Sequence, residues 1–230
     1  MNIDLWAAVA ATVVALALAA RFWTSYRAKH HTYSLWWSIA FAVTGLAAVT
    51  QATALSAGRF TPGTYGAYVI MAAAVPGLMG VGSLYLLVRR LAPYFAGLVL
   101  VLCALTALGV FMGPLDSALL GQVMKASQEV TRVLPGALVV MGFAFLGGLG
   151  GAAMVLGAVW SWWKTHQVFN LGIALGGIIF SLADTLAAYG IPGLFYGAEI
   201  VGVLVLYWAV VRSRAPEPGR GRAAAAHEHA

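Results

Sequence analysis

"GSLYLLVRRLAPYFAGLVL", residues 82–100, is apolar except for Arg89 and Arg90. Read as one run it would overshoot any bilayer. A hydrocarbon core about 30 Å thick is crossed by about 20 helical residues, and a charge at its centre costs about 2.5–3.5 kcal/mol on insertion scales. Two adjacent arginines therefore belong at a headgroup surface, and they force a short turn between two spans. Working outward from that turn, seven apolar stretches are long enough to cross, at about 5–22, 34–56, 64–88, 91–113, 134–160, 168–189 and 193–211. The expected fold is an all-α membrane protein, a seven-transmembrane-helix bundle over residues 1–211. The remainder, 212–230, contains "SRAPEPGRGRAAAAHEHA" and reads as a disordered cytoplasmic tail.

Composition agrees with lipid as the solvent. The chain is 62% hydrophobic and 9% charged, against about 25% charged for a soluble domain. Its net charge of +6 does not point to nucleic acid, because the basic residues flank apolar runs as membrane anchors do. The single Cys103 excludes an intramolecular disulfide. "MNID" lacks the positive start of a signal peptide, so the first span is expected to stay as a helix. Of 13 Lys and Arg, only Arg59, Lys125 and Arg132 fall on one side of the seven spans. The positive-inside rule then places the N-terminus out and the C-terminus in, in a cell inner (plasma) membrane.

The chain also carries traces of a repeat. Trp37, Thr44, Ala48 and Gln51 overlay on Asn170, Gly177, Ser181 and Asp184 at a constant spacing of 133 residues. "PGTYGAY" (62–68) matches "PGLFYGAE" (192–199) with one insertion, and "WTSYRAKHH" (23–31) resembles "WSWWKTHQ" (160–167). Two parallel halves, about 5–88 and 134–211, follow, with 91–113 as linker helix. Parallel repeats are related by an axis along the membrane normal. Between them, "DSALLGQVMKASQEVTRV" (116–133) has helical apolar spacing, with Asp116 or Ser117 as N-cap, and reads as an outer amphipathic helix.

This 3+1+3 layout resembles the sugar-transporter, PQ-loop and microbial-rhodopsin group. "AAVPGLMG" (73–80) is similar to the proline-centred third helix of microbial rhodopsins, without its arginine and aspartate. The Pro-Gln pair of PQ-loop proteins is absent. A retinal Schiff base needs a lysine in the seventh span, and Lys29, Lys125 and Lys164 all lie outside the spans. The chain is thus expected to be retinal-free. "RAKHHTYSLWWS" (27–38) and "GSLYLLVRR" (82–90) also resemble an uncharacterised bacterial family of small seven-helix membrane proteins.

Two acids, Asp184 and Glu199, fall inside spans, both toward the outer end and without a basic neighbour. Intramembrane acids face bundle interiors or water-filled cavities. Gln51, Tyr65, Tyr68, Ser181 and Tyr196 fall at similar depth, so the seven residues are expected to line one outward-facing cavity that binds a small molecule, a proton or a cation. No cofactor is expected. No span holds a histidine, which leaves no bis-histidine haem, and no transition-metal or catalytic set is visible, so the chain is not read as an enzyme. Small residues at Gly147 and Gly151, and at Gly172 and Gly176, suit close helix packing or a homo-oligomer through span five. The expected function is transport of a small solute or proton/cation. The alternatives are a rhodopsin-like sensor with a pocket closed at its inner half, and a structural subunit of a membrane complex.

Overall fold

The structure is a computed structural model that describes residues 3–87, 89–120, 133–188 and 192–212, with side chains described except at 3, 4, 87, 117, 118, 180–197, 199, 200, 210 and 211. It is all helical, with no strand among the described residues. The helices are α1 (Ile3–Lys29), α2 (Thr32–Ala57), α3 (Pro62–Leu87), α4 (Ala92–Met112), the one-turn α5 (Ser117–Leu120), α6 (Ala137–Thr165), α7 (Val168–Ala188) and α8 (Pro192–Arg212). Among the described residues, α1, α2, α3, α4 and α6 are long and apolar enough to cross a membrane. A helix is the natural answer to such a sequence, because hydrocarbon offers no partner to a free backbone N–H or C=O. The Arg89–Arg90 turn falls between α3 and α4, where the sequence places it.

Consecutive contacts α1–α2–α3, α3–α6, α6–α7–α8 and α8–α1 close a ring of six helices, and α4 packs outside it against α3 and α6. Large apolar side chains cover the outside of the bundle, among them Leu100, Val101, Phe111, Phe145 and Leu156. A soluble monomer rarely exposes an apolar patch beyond a few hundred Å², so this surface fits an integral membrane protein. Inward, α4 presents Ala92, Ala96, Val99, Thr106 and Gly109 on one face. At Gly109 a Cβ would lie 2.7 Å from Leu138 Cβ, so the small residue sets how near α4 and α6 approach.

Between apolar helices in lipid, attraction comes from close packing and interhelical hydrogen bonds. Both are present. Ser38 Oγ donates to the Ala19 carbonyl at 2.9 Å, joining α2 to α1. The tightest seam is α3 against α6. A Cβ on Gly150 would collide with the Pro76 carbonyl and the Gly77 nitrogen, and one on Gly80 would lie 2.7 Å from the Gly150 oxygen. Pro76 sits inside α3 at this crossing. Gly172 and Gly176 similarly admit Ala209 and Leu206 of α8 against α7, whereas Gly147, Gly148 and Gly151 have open space where a Cβ would go.

The α3–α6 seam separates two otherwise similar substitutions. Gly150→Ala must push backbone apart and should lower stability by about 1–3 kcal/mol, while Gly148→Ala, facing open space, should leave it within about 0.5 kcal/mol. Unfolding of both variants in detergent micelles checks this.

Candidate functional site

The residues that end α1 and α6 build the same structure twice. Each helix is followed by a histidine in the left-handed region, His30 at φ 51° and His166 at φ 50°. Histidine is among the few side chains enriched there. Each His N–H donates to the carbonyl four residues back, Tyr26 and Trp162, at 2.7 Å. Each His ring stands edge-on to that same aromatic side chain, at 5.8 Å and 6.2 Å. Two residues later the next helix begins, and the Ser34 and Asn170 N–H groups donate to the His31 and Gln167 carbonyls. All these pairs stand 136 residues apart. At this end of the helices Asn170 therefore matches Ser34, not Trp37 as the overlay at 133 has it; the two registers differ by nearly one turn.

The two junctions enclose a cavity of about 210 Å³ lined by α1, α2, α3, α6 and α7. Its lining contains four pairs at the 136-residue spacing: Ser25 and Ser161, Tyr33 and Phe169, Ser34 and Asn170, Trp37 and Ile173. Phe22, Lys29 and Leu86 complete it. A second pocket of about 190 Å³ shares Tyr33 and is lined by His30, His31, Thr32, Tyr85 and Arg89. This is the basic end of the bundle. Lys164 lies over the Trp160 ring at 4.9 Å and Arg212 over Trp208 at 5.1 Å, anchoring the ends of α6 and α8 there. Lys29 and Leu86 are exposed, so the larger cavity reaches the molecular surface.

The far side of that cavity is sealed by aromatic rings. Trp37 stacks on Phe22 at 5.8 Å and lies 5.6 Å from Phe41, one turn deeper. Gly82 makes this placement possible, since a Cβ there would lie 2.6 Å from Trp37 Cδ1. Most helical hydroxyls close on their own helix three or four residues back, as Thr44 does on Ala40, Ser83 on Met79 and Thr50 on Ala47. For Ser34 the residues three and four back, His31 and His30, both lie outside any helix. Among the described residues Ser34 Oγ and Trp37 Nε1 are buried without a hydrogen-bond partner. Their relative exposures are 0% and 2%. Asn170 is held by a bond from its Nδ2 to Thr165 Oγ1 at 3.1 Å. His30 and His31 do not make a metal site, as no three of His, Cys, Asp and Glu gather among the described residues.

The residues singled out from sequence lie at the opposite end. Gln51, Tyr65 and Tyr68 are buried there. Tyr65 and Tyr68 pack around Phe60 with ring centroids at 5.5 Å and 6.0 Å. Gln51 is on the face of α2 between Ala47 and Ala54, which belong to the same apolar cluster. Ser181 and Asp184 lie near the end of α7, and Tyr196 and Glu199 near the start of α8, helices that meet at this same end. The side chains of those four lie outside the described residues. Asp116 caps α5 by accepting from the Leu119 N–H at 3.0 Å; residues 121–132 of the expected amphipathic helix, with Lys125, also lie outside the described residues.

Sequence reasoning by ionisable residues misses Ser34, and it reads Trp37 and Asn170 only as repeat markers. The usable signal was the gapless match of "SYRAKHHTYSL" (25–35) to "SWWKTHQVFNL" (161–171), which pairs the lining directly. No protein-family model, curated protein or solved structure matches the chain.

An unpaired buried hydroxyl costs about 1–3 kcal/mol. Ser34→Ala should therefore raise the stability of the ligand-free protein by about 1 kcal/mol, read as a higher melting temperature in detergent. A fall would mean that Ser34 has a partner after all.

Proposed function

We propose that this chain is a seven-span membrane protein, N-terminus out and C-terminus in, that carries a small solute along the axis between two parallel three-helix repeats. The single observation that carries this reading is the basic-end cavity, whose walls are supplied in matched pairs by α1 with α6 and α2 with α7. A site on the axis between repeats is where alternating-access carriers hold their substrates. The neighbour pattern supports the repeat, because exchanging α1, α2 and α3 with α6, α7 and α8 returns the same set of contacts among those six helices. The grouping of Lys29, Arg89, Lys164 and Arg212 at one end supports the orientation, and with it an inner-membrane location.

Transport is favoured over sensing because the cavity reaches the surface at the inner end, with Phe22 and Trp37 in its wall and Phe41 packed on them one turn deeper. That is the form of a carrier open inward and shut outward, whereas a sensor calls for a pocket closed at its inner half. Tyr85 lines the adjoining pocket. Thr44 and Ser83 turn their hydroxyls to their own helices instead. In this reading Asp184 and Glu199 serve the outer half of the path, Glu199 as the proton or cation group that couples to the solute. The layout and the absence of an in-span lysine keep the resemblance to a retinal-free rhodopsin-like or sugar-transporter bundle.

Proteoliposomes loaded with a pH-sensitive dye test the proposal against a panel of small organic solutes. Solute-dependent proton movement is expected, reduced about tenfold or more in Glu199→Gln and in Trp37→Ala. No flux with any solute removes the carrier reading, and unchanged flux and pH dependence in Glu199→Gln removes that residue from it.

A further inference from the structure

We propose that the basic-end cavity is a binding site for a small organic monocarboxylate with a compact apolar body and a second, neutral acceptor group. The inference rests on the reading of this cavity as a ligand site and names the chemistry it selects.

The first argument is electrostatic. α2 and α7 both begin at this cavity, with Tyr33 and Ser34 of one first turn and Phe169 and Asn170 of the other in its wall. Helix N-termini carry partial positive charge and unsatisfied N–H groups that favour anions. Neither first turn holds an acidic residue, and His31, the N-cap of α2, makes no side-chain cap bond. Lys29 adds a full charge in the wall, and His30, His31 and Arg89 lie in the adjoining pocket. No Asp or Glu occurs between residues 5 and 115 or between 130 and 183, and the opposite partial charge at the ends of α1 and α6 is partly answered by Lys29 and by the His30 and His166 N–H groups. Asp184 is 14 residues beyond Asn170 along α7, about 21 Å away.

The second argument is independent of charge. Trp37 Nε1 is a donor only, and it is buried in this wall without a partner; Ser34 Oγ beside it is equally unpaired. Both atoms are covered in this conformation, so a guest satisfies them only as the wall opens, and to Trp37 Nε1 it must then present a hydrogen-bond acceptor. The amide of Asn170, fixed by Thr165, faces the same space. A bare anion would leave the rest of the lining unused, because Phe22, the Trp37 ring, Phe169, Ile173 and Leu86 are apolar. The volume of about 210 Å³ exceeds the roughly 150 Å³ cavity that accommodates benzene. It suits one six-membered ring with a short substituent. The carboxylate sits near Lys29 and the helix N-termini, and the neutral carbonyl or hydroxyl on Ser34 and Trp37.

Calorimetric titration of the full-length protein in phosphatidylcholine nanodiscs tests this. The probe is phenylpyruvate, with benzyl alcohol, benzylamine and inorganic phosphate as neutral, cationic and bare-anion comparators. Phenylpyruvate should bind about tenfold or more tightly than each comparator. Lys29→Gln, a change at an exposed residue that leaves the packing intact, should weaken it about five- to tenfold and flatten its salt dependence. Trp37→Phe, which keeps an aromatic ring but removes the donor, should weaken phenylpyruvate by about fivefold while leaving benzyl alcohol within about twofold. Equal affinity for phosphate, tighter binding of benzylamine, an unchanged affinity in Lys29→Gln, or no heat from a protein that still melts cooperatively each overturns the proposal. Binding without flux would overturn the carrier reading alone. Flux of other solutes with no carboxylate bound would overturn this site alone.

Discussion

Hydrocarbon gives a backbone no hydrogen bonds, and the whole structure follows from how each helix meets that demand at its ends. Within α1 and α6 the carbonyls are closed by the helix itself, and the last turn is finished by a histidine that turns left-handed and donates back. That closure serves the C-terminal ends. It does nothing for the first N–H groups of the helices that follow two residues later. At α2 and α7 the chain supplies one local backbone bond each, at Ser34 and Asn170. The cavity stands where two such sets of donors converge.

Packing then fixes how far apart those donors stand. Along the α3–α6 seam, Gly150 and Gly80 bring two backbones into contact at Pro76. The partner seam, α8 against α1, closes the ring on the other side. Between them the aromatic group of Phe22, Trp37 and Phe41 fills the middle of the bundle, with Gly82 yielding the room that the indole needs. The polar side chains of the cavity are therefore held on rigid helices rather than on loops, which suits a site that must present donors in fixed directions.

Much of the fold was legible in the sequence because lipid imposes a coarse and strict rule. Apolar length marks the helices, and Arg89 with Arg90, the sole interruption of a long apolar run, marks the α3–α4 turn. The likeness of the junctions that end α1 and α6 was legible in outline but not in register. In apolar helices one face looks much like the next, so a shift of nearly one turn still overlays plausible residues, and Asn170 was set against Trp37 rather than Ser34. The candidate site was drawn from the rarest residues in a membrane, the acids Asp184 and Glu199. The basic-end cavity uses a serine, a tryptophan and an asparagine, residues that are ordinary near a headgroup surface. What distinguishes them is burial without a partner, a property of three-dimensional arrangement that no spacing rule displays.

The position of α4 has a consequence for how such a chain arises. A unit of three crossings finishes on the side opposite to its start, so a tandem copy can keep the same polarity only if an odd number of crossings joins the two. In the proposed two-repeat topology α4 would meet that parity requirement; it stands outside the ring and gives no side chain to the cavity wall. Its sequence is consequently answerable to length, greasiness and a few small contacts such as Ala96 and Gly109, and evolution is free to rewrite the rest of it without disturbing the chamber lined by α1, α2, α3, α6 and α7.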